Sequence, residues 1–200
     1  MKERLSKMNM SNWWKLIVIL TPLALSGCYR PEYPSKFISS DLKEFESYQK
    51  KCASRPSPPA RTIISLGDTD VFITYSQPAV KQRTIWGDLV PYDKIWRTGA
   101  NEATVLSATG DILVNGDTLL AGNYALYTIP TKDKWTVVLN TKYEVWGAYD
   151  YDKSLDVLRF EVEPITDNES IERMTFDIDE SGTVEFAWDK LKFDFLVMPL

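Results

Sequence analysis

Two short polar loops of this sequence carry the residues that could do chemistry. In the first, residues 91–104, Trp96 and Arg97 precede Asn101 and Glu102, so an aromatic face, a forked cation, an amide and a carboxylate lie within seven residues. A guanidinium can hold a carboxylate or a phosphate through two parallel hydrogen bonds. The pattern predicts a small pocket for a polar ligand, with the alternative that Arg97 and Glu102 form an ion pair that braces the loop.

The second loop, residues 146–152, holds three aromatic rings and two carboxylates. Such a composition suits stacking on a sugar ring or binding a cation, although the rings could equally close one end of a sandwich. We expect the two loops to form one site for a small polar or carbohydrate-like ligand. The predicted ligand-binding residues are Trp96, Arg97, Asn101, Glu102, Trp146, Tyr149 and Asp150.

A weaker alternative is catalysis by carboxylates. Glu102, Asp150 and Asp152 could supply an acid and a base for glycoside hydrolysis, which needs two carboxyl groups about 5–9 Å apart. The chain contains no His, which excludes a Ser-His-Asp triad, a Cys-His pair and the usual His-bearing zinc sites.

No metal site or cofactor is predicted. Residues 177–182 match the first half of a calcium loop, but Trp188 stands at the twelfth position, where the loop needs an acidic ligand. A hairpin turn is therefore the better interpretation of this segment. Only two cysteines, Cys28 and Cys52, are present, too few for a disulfide framework.

The elements that must position these loops are β-strands. From residue 61 onward, short alternating apolar runs are broken by turns every eight to twelve residues, as in Trp135, Val137 and Leu139. Asn115-Gly116 is the strongest hairpin signal, because both central positions of a type I′ turn need positive φ. We predict an all-β fold for residues 60–200, an antiparallel, jelly-roll-like β-sandwich of nine or ten strands.

Residues 1–27 are typical of a lipoprotein signal peptide. Basic residues precede a ten-residue apolar run, residues 16–25, which is too short to span a bilayer. The run ends in Leu25-Ser26-Gly27-Cys28, which resembles a bacterial lipobox and implies acyl chains on Cys28. We therefore expect an exported protein whose partner is a bacterial membrane, the outer membrane because Tyr29 follows the cysteine, with its domain in the periplasm or at the cell surface.

Residues 28–59 are interpreted as a tether. Leu42, Phe45 and Cys52 fall near one face of a short helix for which Asp41 is a cap candidate, and the proline-rich residues 55–59 follow as a stiff spacer.

Net charge excludes one class of partner. The chain carries a net charge of −5, and removing residues 1–27 makes the remainder more acidic, because that segment holds four basic residues and one acidic residue. This sign is wrong for binding nucleic acid.

Five segments in order resemble the bacterial domain-of-unknown-function 2911 family. They are TYSQPAVKQR (74–83), WGDLVPY (86–92), WRTGANEAT (96–104), AGNYALYTIP (121–130) and WGAYDY (146–151). The resemblance covers about residues 55–200 and implies an exported, β-rich domain with no assigned activity. Gln77, Gln82 and Asp93 depart from the family pattern, and Gln77 stands where an Arg is frequent.

The sequence thus predicts a membrane-anchored envelope lipoprotein that acts as a binding or accessory module. A His-free hydrolase and a purely structural lipoprotein are the alternatives.

Overall fold

A computed structural model describes residues 33–200 of the chain. The predicted signal peptide and the predicted lipidation site, Cys28, lie outside the described residues. Within residues 33–200, no helix has the length and apolar character that crossing a membrane requires.

Within residues 33–200, ten antiparallel strands form two sheets, which confirms the predicted β-sandwich. The first sheet has the order β1-β2-β3-β6-β7-β8, and the second has the order β5-β4-β10-β9. The strands are β1 (Pro59–Leu66), β2 (Thr69–Ser76), β3 (Val105–Ala108), β4 (Ile112–Val114), β5 (Asp117–Leu119), β6 (Gly122–Pro130), β7 (Trp135–Asn140), β8 (Asp156–Val162), β9 (Ile165–Ile178) and β10 (Thr183–Pro199).

The main core lies between the two sheets and is rich in aromatic rings. Trp135, Val137 and Leu139 alternate into it from β7, as their spacing predicts, and Phe186 and Trp188 enter it from β10. Buried aromatic and β-branched side chains on alternating positions are what stabilise facing sheets.

The outer face of the six-stranded sheet is also covered, which explains why β6 and β7 are buried almost continuously. Tyr127 and Val138 point away from the main core and pack against Ala103 and Val145, which belong to the two loops singled out above. The sheet therefore holds the candidate loops against its outer surface.

Helix α1 (Leu42–Lys51) forms as the spacing predicts, and the Asp41 side chain caps it by accepting a hydrogen bond from the Lys43 amide at 2.8 Å. The segment around it differs from the predicted tether, because residues 33–200 form one compact unit. Phe37 and Tyr48 are buried against Val105 of β3. Because these apolar contacts bury large rings on the sheet, residues 33–58 are part of the domain instead of a free spacer.

Arg61 of β1 fastens this N-terminal segment to the sandwich. Its guanidinium lies 4.0 Å from the ring centre of Phe45 on α1 and 4.5 Å from that of Phe72 on β2. It also donates hydrogen bonds to the carbonyl oxygens of Ser39 at 2.7 Å and Phe37 at 2.9 Å. Burial lowers the pKa of Arg61 to about 10.

Two predicted turns form as expected. Asn115 and Gly116 both have positive φ, 52° and 95°, and join β4 to β5. Residues 179–182 connect β9 to β10, and the Asp179 carboxylate accepts hydrogen bonds from the amides of Ser181 and Thr183. The half calcium loop is therefore a hairpin turn.

We predict that Arg61→Ala lowers the free energy of unfolding by about 2–4 kcal/mol, because it removes two cation–π contacts and the charged hydrogen bonds to the N-terminal segment. Urea denaturation followed by circular dichroism measures the change. Lys43→Ala, at an exposed position of α1, is the matched control and should change stability by no more than about 0.5 kcal/mol. Equal effects of the two substitutions would contradict the assigned role of Arg61.

Candidate functional site

The two candidate loops lie side by side. The Ala103 amide donates to the Val145 carbonyl at 3.1 Å, and the Gly147 amide donates to the Asn101 carbonyl at 3.0 Å. A β-bridge between residues 102 and 146 lies between these bonds. The sequence predicts that these loops meet, and the structure brings their backbones together.

Glu102 is fully buried, and three side chains bind its carboxylate. Arg55 Nη1 lies 2.8 Å from Oε1, the Tyr48 hydroxyl donates to the same oxygen, and Ser76 Oγ donates to Oε2 at 3.0 Å. The expected ion pair is thus made with Arg55 and not with Arg97. Because Glu102 has no surface in contact with solvent, its predicted roles in ligand binding and catalysis have no support in this geometry.

The groups around Glu102 have shifted pKa values. Burial raises the pKa of Tyr48, and the hydrogen bond to Glu102 raises it further. For Arg55, burial acts to lower the pKa, but the hydrogen bond and charge of Glu102 outweigh it, so the pKa is raised. Both shifts favour the protonated forms of Tyr48 and Arg55, which are the forms that donate hydrogen bonds to the Glu102 carboxylate.

Arg97 is the cation that remains near this network. Its Nε is buried and has no hydrogen-bond partner among the described residues. Burial lowers the pKa of Arg97, although the nearby Tyr149 and Glu102 act in the opposite direction. Its Nη1 reaches the second loop, because a Cβ placed on Gly147, which has φ of 67°, would lie 3.6 Å from it.

Arg97 and Trp96 line a cavity of about 160 Å³. Trp188 of β10 forms part of its wall, with its ring stacked on Trp96 at 5.8 Å and 20°. Arg83 adds a second cation, which is fixed because its Nε and Nη2 donate to backbone carbonyls. The full lining is Ser57, Pro78, Arg83, Leu89, Val90, Trp96, Arg97, Gly99, Ala100 and Trp188.

The loop that presents Trp96 and Arg97 is held in an uncommon backbone conformation. Thr98 is fully buried at φ of 49°, a left-handed value that β-branched residues rarely adopt. Its Oγ1 donates to Thr128 Oγ1 at 3.1 Å, and its carbonyl accepts from Thr104 Oγ1 at 2.8 Å. Local strain of this kind persists only where surrounding contacts enforce it, and it is concentrated at binding sites.

Gly99 is required by close packing in the same loop. A Cβ at this position would lie 2.9 Å from Thr104 Oγ1 and 3.3 Å from the Ser76 carbonyl oxygen. The Gly99 carbonyl accepts a hydrogen bond from Trp96 Nε1 at 3.2 Å, which fixes the indole on the cavity wall.

The other predicted ligand residues lie outside the cavity lining. Asn101 Nδ2 donates to the carbonyl of Ser57, a lining residue, at 3.0 Å and so helps to hold Ser57 in place. Tyr149 is 85% exposed, while Trp146 and Asp150 are half-buried on the neighbouring loop. The structure therefore brings two of the seven predicted residues, Trp96 and Arg97, into a concave site.

Two of the three carboxylates of the catalytic alternative, Glu102 and Asp152, lack the properties of a general acid at an open site. Asp152 is exposed and caps the 3₁₀ turn Lys153–Leu155 by accepting from Ser154, which lowers its pKa, the direction opposite to that of a general acid. Glu102, as described above, is sealed from solvent. Among residues 33–200, no group of three or more metal-binding side chains lies together.

Eight of the ten lining residues are missing from the sequence-based set, among them Arg83 and Trp188. Trp188 reaches the cavity beside a register shift between Ala187 and Asp189 of β10, where Asp189 has φ of 52°. Trp188 continues the alternation of Val184 and Phe186, so local spacing predicts that it is buried but not that it meets the loop of Trp96. Arg83 lies in the 74–83 segment, but its spacing gives no signal of a site.

The fold and cavity define an antiparallel β-sandwich with a small, cation-lined pocket at its surface. A family model described as "Protein of unknown function (DUF2911)" matches residues 57–197, and the chain belongs to this family. Searches of the curated proteins and of the solved structures find no match to the chain.

We predict that the contribution of Tyr48 to the free energy of unfolding depends on pH. Because its pKa is raised in the folded state, the unfolded chain loses the phenol proton first, so this stabilisation is present below about pH 10 and is lost at higher pH. Tyr48→Phe should therefore lose less stability than the wild-type protein between about pH 8 and about pH 11. Urea denaturation across this range measures the difference, and parallel pH profiles would contradict the assignment.

Proposed function

We propose that this protein is a binding module of the bacterial cell envelope that takes a small polar ligand into the cavity beside Trp96 and Arg97. The observation that carries the proposal is the buried Nε of Arg97, a donor with no partner within residues 33–200 on the wall of a 160 Å³ cavity. Most buried donors in proteins are hydrogen-bonded, so this one is explained if a ligand supplies the acceptor.

The construction of the loop also favours binding. The backbone of Thr98 holds a strained left-handed conformation directly after Arg97, and Gly99 is packed too closely for any side chain. These contacts fix the backbone that carries Arg97 before a ligand arrives, which reduces the entropy lost on binding. A purely structural lipoprotein would gain nothing from a fixed cation beside a cavity.

We also propose that acyl chains on Cys28 anchor the protein to a membrane, most simply the outer membrane. Tyr33 is half-buried and lies edge-on to Phe37 at 6.1 Å, so the domain begins only five residues after Cys28. Five residues span at most about 18 Å. The proposed anchor is therefore a short one, in place of the thirty-residue stalk that the sequence predicts.

A larger side chain that fills the cavity should weaken ligand binding. Ala100 lines the cavity, and Ala100→Leu would occupy it without changing any charge. We expect any ligand found by thermal shift or tryptophan fluorescence to bind at least about tenfold more weakly to Ala100→Leu, a loss of about 1.4 kcal/mol. Ala121→Leu, at an exposed loop position, is the matched control and should bind normally. A ligand that binds Ala100→Leu as tightly as the wild type would contradict the proposed site.

Lipid attachment is tested separately. Expressed in a bacterial host that processes lipoproteins, the wild-type protein should partition into a detergent phase, and mass spectrometry should find acyl chains on Cys28. Cys28→Ser should remove both properties, because the thioether bond needs the sulfur. An unmodified thiol at residue 28 in the mature wild-type protein would contradict the proposed anchor.

A further inference from the structure

Two buried donors without acceptors meet at the cavity. Within the part of the chain that the structure describes, Arg97 Nε and Trp188 Nε1 both have no hydrogen-bond partner, and both residues line the cavity. Trp188 itself is only 1% exposed, so its N–H cannot be assigned to bulk solvent. A ligand that satisfies these groups must present hydrogen-bond acceptors, because neither group can accept a hydrogen bond.

The cavity also has a definite charge. Among residues 33–200, its lining contains two guanidinium groups, those of Arg83 and Arg97, and no acidic residue. The neighbouring carboxylate of Glu102 is already bound by Arg55 at 2.8 Å. In a chain of net charge −5, a pocket whose charged lining residues are both cations is a local exception that attracts anions.

Size and shape restrict the ligand further. A cavity of about 150 Å³ holds a benzene-sized molecule, so the 160 Å³ cavity accepts a ligand of that order and not a sugar chain. The lining includes the flat rings of Trp96 and Trp188, which stack on each other. Leu89 and Val90 make other parts of the lining apolar.

We infer that the cavity binds a small planar carboxylate, with its carboxylate group on Arg97 and Trp188 and its flat body against the Trp96 ring. This inference rests on the proposed binding function and names its ligand class. Arg presents a planar fork that matches a carboxylate in a two-point contact. A phosphate shares the charge but is tetrahedral, and it gains little from the flat apolar wall. A neutral sugar offers no charge to the two guanidinium groups.

The test compares acids with neutral molecules of the same shape. Full-length protein in a neutral detergent is titrated by calorimetry with acetate and acetamide, with benzoate and benzamide, and with methyl phosphate. We expect at least one carboxylate to bind about tenfold or more tightly than its amide. The carboxylate gives the guanidinium a charged acceptor, whereas the amide gives it only a neutral one. Benzoate should exceed acetate because it fills the cavity and contacts the indole.

Variants at Arg97 identify the contact. Arg97→Met should weaken carboxylate binding by about 30-fold or more, and Arg97→Lys, which keeps the charge but loses the fork, by about tenfold. Lys132→Met, which removes a cation from the exposed turn between β6 and β7, is the charge-matched control and should bind as the wild type does. If Arg97→Met fails to fold, the Arg97 Nε–H resonance of the wild-type protein provides the second readout and should shift when carboxylate is added.

The outcomes separate this inference from the proposed function. Amides that bind as tightly as their acids, or methyl phosphate that binds more tightly than every carboxylate, would overturn the inference while leaving a ligand site in place. The same holds if only neutral compounds bind and Ala100→Leu abolishes their binding. If neither these compounds nor any other small polar ligand binds, both proposals fail.

Discussion

The buried carboxylate of Glu102 is the constraint on which the rest of the structure depends. An ionised carboxylate removed from water is strongly unfavourable unless charged and hydrogen-bonding partners surround it. Arg55 and Tyr48 supply those partners from the N-terminal segment, and Ser76 supplies one from β2. The requirement to satisfy one charge therefore holds the N-terminal segment, strand β2 and the first candidate loop together.

This constraint also shapes the candidate site. Because Arg55 forms the ion pair with Glu102, Arg97 has no carboxylate partner among the described residues. Arg97 is still close enough to Glu102 for the carboxylate charge to act on its pKa. The neighbouring Thr98 is held in a left-handed conformation by its own hydrogen bonds. The Thr98 backbone is held rigidly, and the Glu102 carboxylate is already paired with Arg55. Arg97 therefore remains at the cavity wall without an ion-pair partner from Glu102.

Much of the fold could be predicted, because the relevant signals are local. Alternation at Trp135, Val137 and Leu139 identifies β7, and Asn115-Gly116 identifies a type I′ turn, since both depend on residues adjacent in sequence. Trp96 and Arg97 are predicted as site residues from a local signal as well, because their residue types are unusual for a plain connection.

What the sequence does not reveal depends on long-range contacts. The partner of Glu102 is Arg55, 47 positions away, whereas the sequence offers Arg97 as the near neighbour. The predicted tether packs on the sheet because Arg61 lies between Phe45 and Phe72, three side chains from three different elements. Trp188 follows the alternation of β10, but the ring it stacks on, Trp96, lies in a loop that is distant in sequence. None of these contacts has a signature in local spacing.

The central claim is that Glu102 forms its ion pair with Arg55, so that Arg97 can bind a ligand. A pair of double-mutant cycles tests this claim most directly. The cycles combine Glu102→Gln with Arg55→Met and with Arg97→Met, and the free energies of unfolding are measured in urea. The account predicts a coupling of about 1–3 kcal/mol between Arg55 and Glu102, and no more than about 0.5 kcal/mol between Arg97 and Glu102. A strong coupling of Arg97 with Glu102, together with a negligible one for Arg55, would contradict it.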